Sequence, residues 1–124
     1  MRNPPMFLKL WQIKFPITAI VSVLHRITGV YMFMLLPCGL LMITHGLASP
    51  RGFIMLQHYF DALLPKFFLW AMCSAFVFHF LAGMRHMMLD FSLISSEKNA
   101  GCYSAFAVLF LAVLAAIGLG FRVW

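Results

Sequence analysis

The chain has 124 residues, 64% of them hydrophobic and only 10% charged, against roughly 25% charged in soluble domains. That balance excludes an ordinary soluble globule and marks a membrane protein. The net charge of +6 is spread thinly at the ends of apolar runs, a topology signal that excludes the basic stripe nucleic acid would need.

The N-terminal stretch MRNPPMFLKLWQIKFP is no secretory signal: Lys9, Gln12, Lys14 and prolines interrupt its apolar residues, and no small-residue cleavage site follows. Its two lysines, Arg2 and Trp11 predict a segment lying at the inner membrane surface. A helix needs about 20 apolar residues to cross the hydrocarbon core. The first such run is Ser22 to Thr44, with His25 and Arg26 near its start and Pro37 predicted to kink it. A connection follows whose middle suits a small interfacial helix. The second run is Phe67 to Met88, and the third is Tyr103 to Val123. The expectation is therefore a single all-α membrane domain over residues 1–124, with three transmembrane helices and no internal repeat.

Lysine and arginine set the orientation. Arg2, Lys9, Lys14, Arg26, Arg85 and Lys98 share one side, against Arg51, Lys66 and Arg122 on the other. The N-terminus is expected inside and the C-terminus outside, with Trp11, Trp70 and Trp124 near the interfaces. Under this threading SVLHR and GMRHMMLD meet at the inner face. Cys38, Cys73 and Cys102 form no C-x-x-C and no C-x-x-C-H, so they read as small, buried apolar residues.

His79 stands well inside the second span, roughly 12 Å from its inner end. Its ring nitrogens want partners there. His79, Gly83, His86 and Asp90 follow i, i+4, i+7, i+11 along one helical face. A glycine one turn from a histidine leaves a flat recess suited to a porphyrin plane. A buried histidine bonding a neighbouring helix accounts for the spacing of His79 at least as well. His79 and His86 do not both ligate one haem, since they project from one side of one helix roughly 10 Å apart. At the expected depth of His79 the first span reads VYMFM. The second ligand is thus Met32, Met34 or, more simply, a histidine of a partner chain. His25, Arg85 and His86 lie where haem propionates would be received, although interfacial snorkelling is the simpler reading of Arg85 and His86. Thr18, Ser22 and Arg26 line another face. A hydroxyl beside a guanidinium suits a quinone carbonyl and the negative charge its oxygen gains on reduction, though a polar first turn explains these residues too.

Read together, KFPITAIVSVLHRITGV and HFLAGMRHMMLDF resemble the two signatures of the succinate dehydrogenase cytochrome b family, the larger membrane anchor of respiratory complex II. The shared patterns are S-x-x-H-R-x-T-G and H-x-x-x-G-x-R-H-x-x-x-D. The resemblance implies that His79 is an axial ligand of haem b, with the other ligand supplied by a second small membrane-anchor subunit. It implies that Ser22 and Arg26 bind ubiquinone and that His25, Arg85 and His86 lie near the propionates. Asp90 is expected to be structural or a proton relay. The resemblance also implies that flavin and iron–sulfur clusters belong to partner subunits, and this chain has no Rossmann glycine motif and no cysteine ligand set to hold them. The short N-terminus without an organelle presequence suggests the bacterial inner membrane rather than the mitochondrial one. The rival readings are a quinol:fumarate reductase anchor and a haem-free membrane scaffold whose histidines only pack.

Overall fold

The computed structural model describes residues 15–94 and 98–124. The proposed surface segment with Arg2, Lys9, Trp11 and Lys14 lies outside the described residues, as does the side chain of Lys98. Four helices follow in chain order: α1 (Ile17–Leu47), α2 (Pro50–Asp61), α3 (Leu63–Asp90) and α4 (Lys98–Val123). Three of them, α1, α3 and α4, are long and apolar enough to cross a membrane, and the described residues contain no strand.

Each spanning helix outruns the expected span. α1 begins at Ile17, directly after Pro16, whose carbonyl accepts from the amides of Ala19 and Ile20. It runs without interruption through Pro37 to Leu47, about 46 Å of rise against a hydrocarbon core of about 30 Å. α4 starts at Lys98 rather than Tyr103. Length in apolar residues locates the membrane-crossing part of a helix, and the backbone keeps its helical bonding past that boundary.

The small helix expected between the first two spans is α2. Ser49 caps it, its Oγ accepting from the Gly52 amide at 3.0 Å, and Pro50 occupies the first helical position, where no amide donor is missed. Gly46 lets α2 fold back on α1, since a Cβ there would stand 2.5 Å from Leu56 Cδ2. α3 ends in a Schellman turn: the Ser92 amide bonds Leu89 O, and the Leu93 amide bonds Met88 O at 2.9 Å. Ser92 adopts φ 56°, the left-handed conformation usually given to glycine at this position.

Little of the chain is buried. The core is a cluster of Val21 on α1, Ala82 on α3, and Ala105 and Val108 on α4, flanked by Ile17, Phe78, Leu81 and Leu109. Small residues at these contacts let helix backbones approach closely, the usual device where lipid removes the hydrophobic drive between helices. The large apolar side chains point outward instead, among them Phe33 at 77% and Phe121 at 84% exposure. The three cysteines are free, but not as the sequence suggests: Cys38 is exposed and Cys73 and Cys102 are half-buried, so none belongs to the core.

Candidate functional site

α1 and α3 run antiparallel, so the start of one meets the end of the other. Three imidazoles gather there. The ring of His25 stacks on that of His79 with centroids 4.1 Å apart and planes inclined by 23°. On its other flank it meets the ring of His86 at 5.2 Å. His25 thus lies between the two histidines of α3, and the recess expected beside Gly83 is filled by it: a Cβ on Gly83 would stand 3.4 Å from His25 Nε2.

His79 is held from α1 by main chain and side chain together. Its Nδ1 lies 3.0 Å from the carbonyl oxygen of His25 and 3.2 Å from Thr28 Oγ1. A carbonyl only accepts, so Nδ1 carries the proton and Nε2 carries a lone pair. The single hydroxyl proton of Thr28 goes to its own helix, where Leu24 O and His25 O lie at 2.9 and 3.0 Å. No hydrogen bond to His79 Nε2 exists among the described residues. Anchoring one ring nitrogen on a carbonyl to free the other is how metal-ligating histidines are oriented.

The depth expected for His79 needs correction. The ring faces Thr28 and Gly29, not the VYMFM stretch that follows. A Cβ at Gly29 would stand 3.0 Å from His79 Cε1, so the helices take the register in which the imidazole meets a residue without a side chain. Met34 is 65% exposed, and Met32 lines a groove further along the helix pair.

Arg85 occupies a different place from the one its sequence position suggested. It neither snorkels nor faces the histidines through its bonded nitrogens. It is 5% exposed and bonds α4, with Nε donating to Ser104 Oγ and Nη2 to Gly101 O, both at 3.0 Å. Ser104 in turn donates to Gly101 O at 3.0 Å. Toward the opposite end Trp70 Nε1 donates to Ala116 O at 2.8 Å, and its ring meets Trp124 edge-on. The Trp70 indole is therefore satisfied by α4 rather than left to the interface. These two ties stand about 22 Å apart along α3. α1, by contrast, is bonded to α3 through side chains only at the histidines among the described residues. Beyond that point the pair encloses a groove of about 350 Å³, lined by Met32, Leu36, Gly39, Met72, Cys73 and Phe76 among others.

Ser22 is half-buried and Arg26 exposed, one turn apart on α1, and neither side chain makes a hydrogen bond among the described residues. Thr18, which shares their helical face in the sequence, turns its methyl toward Gly101 of α4. Asp90 is exposed in the last turn of α3.

The residues fit a haem in two respects. His79 offers a lone pair on an oriented ring. His25 Nε2 is buried and has no hydrogen-bond partner among the described residues, so it could serve a polar group of a ligand. Among the described residues no three side chains converge so as to hold a bare metal ion. Sequence spacing found the three histidines but missed Thr28 and Gly29. Both stand in the T-G of the first signature, and only the helix register gives them a role.

Such a bundle, with three apolar helices long enough to span and an oriented histidine between two of them, defines a multi-pass membrane protein. The family model for the succinate dehydrogenase/fumarate reductase transmembrane subunit matches residues 1–119, and the chain belongs to this family. It is 33% identical to the succinate dehydrogenase cytochrome b556 subunit of Coxiella burnetii (strain RSA 493 / Nine Mile phase I), with 97% of this chain and 96% of the relative covered.

Proposed function

We propose that this chain is the large membrane anchor of a succinate:quinone oxidoreductase of the bacterial inner membrane, with its N-terminus in the cytoplasm. The observation that carries this reading is the fixed tautomer of His79, whose Nδ1 proton is held by His25 O so that Nε2 is free to bind iron. His79 would supply one axial ligand to haem b, and the second small anchor subunit the other. When bound, the haem supplies a one-electron carrier in the membrane.

His25 does two jobs in this account. Its carbonyl orients His79, and its Nε2, unpartnered among the described residues, would donate to a propionate, with His86 beside it. Arg85, committed to α4, is the least suited of the expected propionate partners. Ser22 and Arg26 bind a ubiquinone carbonyl: the hydroxyl donates a hydrogen bond, and the guanidinium stabilises negative charge on the oxygen as it is reduced. Asp90, exposed in the last turn of α3, would serve either the structure of that turn or a proton relay to the pocket. Succinate is oxidised in the flavoprotein subunit, and electrons arrive through the iron–sulfur subunit docked on the inner face.

The test is purification of the tagged chain from its native membrane in mild detergent. Flavin and iron–sulfur subunits should accompany it, and the preparation should reduce ubiquinone with succinate. A chain purified without them would contradict the reading. A complex that reduces fumarate with quinol yet leaves succinate unoxidised would assign the reverse reaction, which the family description also covers.

A further inference from the structure

We propose that Thr28 and Gly29 form a seat on α1 that sets the rotation and the electron-donating strength of the His79 imidazole, acting as positioning residues for the haem. This rests on the reading of His79 as an axial ligand.

The hydroxyl proton of Thr28 is taken by carbonyls of its own helix, at 2.9 and 3.0 Å, so an oxygen lone pair is what faces His79 Nδ1 at 3.2 Å. Serine and threonine in helices often bond back to their own backbone. That habit explains the contact with Leu24 O but not the one with His79. Together with His25 O at 3.0 Å, the Nδ1–H lies between two acceptors. Two acceptors on one N–H fix the ring plane and draw the proton away from the ring, which raises the electron density at Nε2. A ring richer in electrons favours ferric over ferrous iron and lowers the haem potential. Interhelical hydrogen bonds in membranes add little to stability, so orientation and electronic tuning are the larger consequences of this contact.

Gly29 completes the seat sterically. A Cβ there would lie 3.0 Å from Cε1, 3.5 Å from Nδ1 and 4.0 Å from Nε2 of His79, so a methyl would push the ring by a few tenths of an ångström. The stacked ring of His25, 4.1 Å away, restricts where it can go. Hydroxyl and glycine are adjacent in sequence and reach the same imidazole, one by hydrogen bond and one by the absence of a side chain.

The experiment compares assembled complexes carrying wild type, Thr28→Val, Thr28→Ser, Gly29→Ala and His79→Ala. It uses redox potentiometry of the b-type band, ferric-haem EPR and haem retention on dilution. Thr28→Val keeps the band but raises its midpoint potential and releases haem about tenfold more readily, whereas Thr28→Ser restores both to wild-type values. Gly29→Ala removes no hydrogen bond, yet shifts the ferric EPR g-values or loses haem, and tests the seat independently. Wild-type potential, g-values and retention in both Thr28→Val and Gly29→Ala would overturn the seat. So would a Thr28→Ser variant as disturbed as Thr28→Val. If His79→Ala loses the haem while the seat variants match wild type, the ligand reading stands and only the seat fails. If His79→Ala keeps the wild-type signal, the ligand reading itself fails.

Discussion

At the scale of single residues, what separates the histidines is the partner each ring has. Among the described residues, His79 has one nitrogen bonded and the other without a partner; His25 is stacked between two rings with a buried nitrogen unpartnered. Ser22 and Arg26, the residues proposed to bind quinone, are simpler, a half-buried hydroxyl and an exposed guanidinium one turn apart. A hydrogen bond to a group that gains charge is worth about 1.5–3 kcal/mol, equivalent to roughly 10- to 100-fold in rate. Ser22→Ala and Arg26→Ala should therefore lower kcat/KM for ubiquinone by about tenfold or more while leaving the haem spectrum intact. Steady-state assays with varied quinone beside a visible spectrum check this. Wild-type kinetics in both variants would remove Ser22 and Arg26 from the pocket. The meeting of His25, His79 and His86 was legible in the sequence, because ionisable groups in an apolar run stand out. The partners of Arg85 were not. Which face of α3 meets α4 depends on the packing of Ala82, Ala105 and Val108, and small apolar residues give no such signal in a sequence.

Among the elements, α3 is the centre: α4 is tied to it near both ends, and α1, among the described residues, is tied by side-chain hydrogen bonds only at the histidines. The inner tie is a buried guanidinium using two nitrogens in fixed directions, a geometry lysine does not reproduce. Arg85→Lys should destabilise the α3–α4 pair by about 1–2 kcal/mol. It should lower the unfolding temperature of the detergent-solubilised complex without moving the haem band. An unchanged unfolding temperature would show that the tie adds nothing, and a displaced band would place Arg85 among the groups that sense the haem. The existence and order of the three long helices and of α2 followed from apolar length and turn residues. The axial register of α1 against α3 did not follow. Periodicity identifies the face that meets a neighbour, but the height along the axis is decided by where an imidazole finds a bare Cα, at Gly29 rather than along VYMFM.

For the whole molecule, the buried core is a few small residues, and large apolar side chains cover most of the outside. That surface suits lipid and partner helices, and it leaves the charged residues to set topology. Reporter fusions should place the N-terminus and the α3–α4 connection in the cytoplasm, and the α1–α3 connection and C-terminus outside. The opposite pattern would put the His25, His79 and His86 cluster at the wrong face to meet the soluble subunits.

The central claim is that His79, and neither of the histidines beside it, binds the haem iron. The most direct measurement is the dithionite-reduced minus oxidised visible spectrum of the purified complex, taken for wild type, His79→Ala, His25→Ala and His86→Ala. The account predicts a sharp b-type signal that His79→Ala abolishes, while His25→Ala and His86→Ala retain it with altered position or intensity. A signal kept in His79→Ala and lost in His86→Ala or His25→Ala would contradict it, as would an intact wild-type complex with no haem signal.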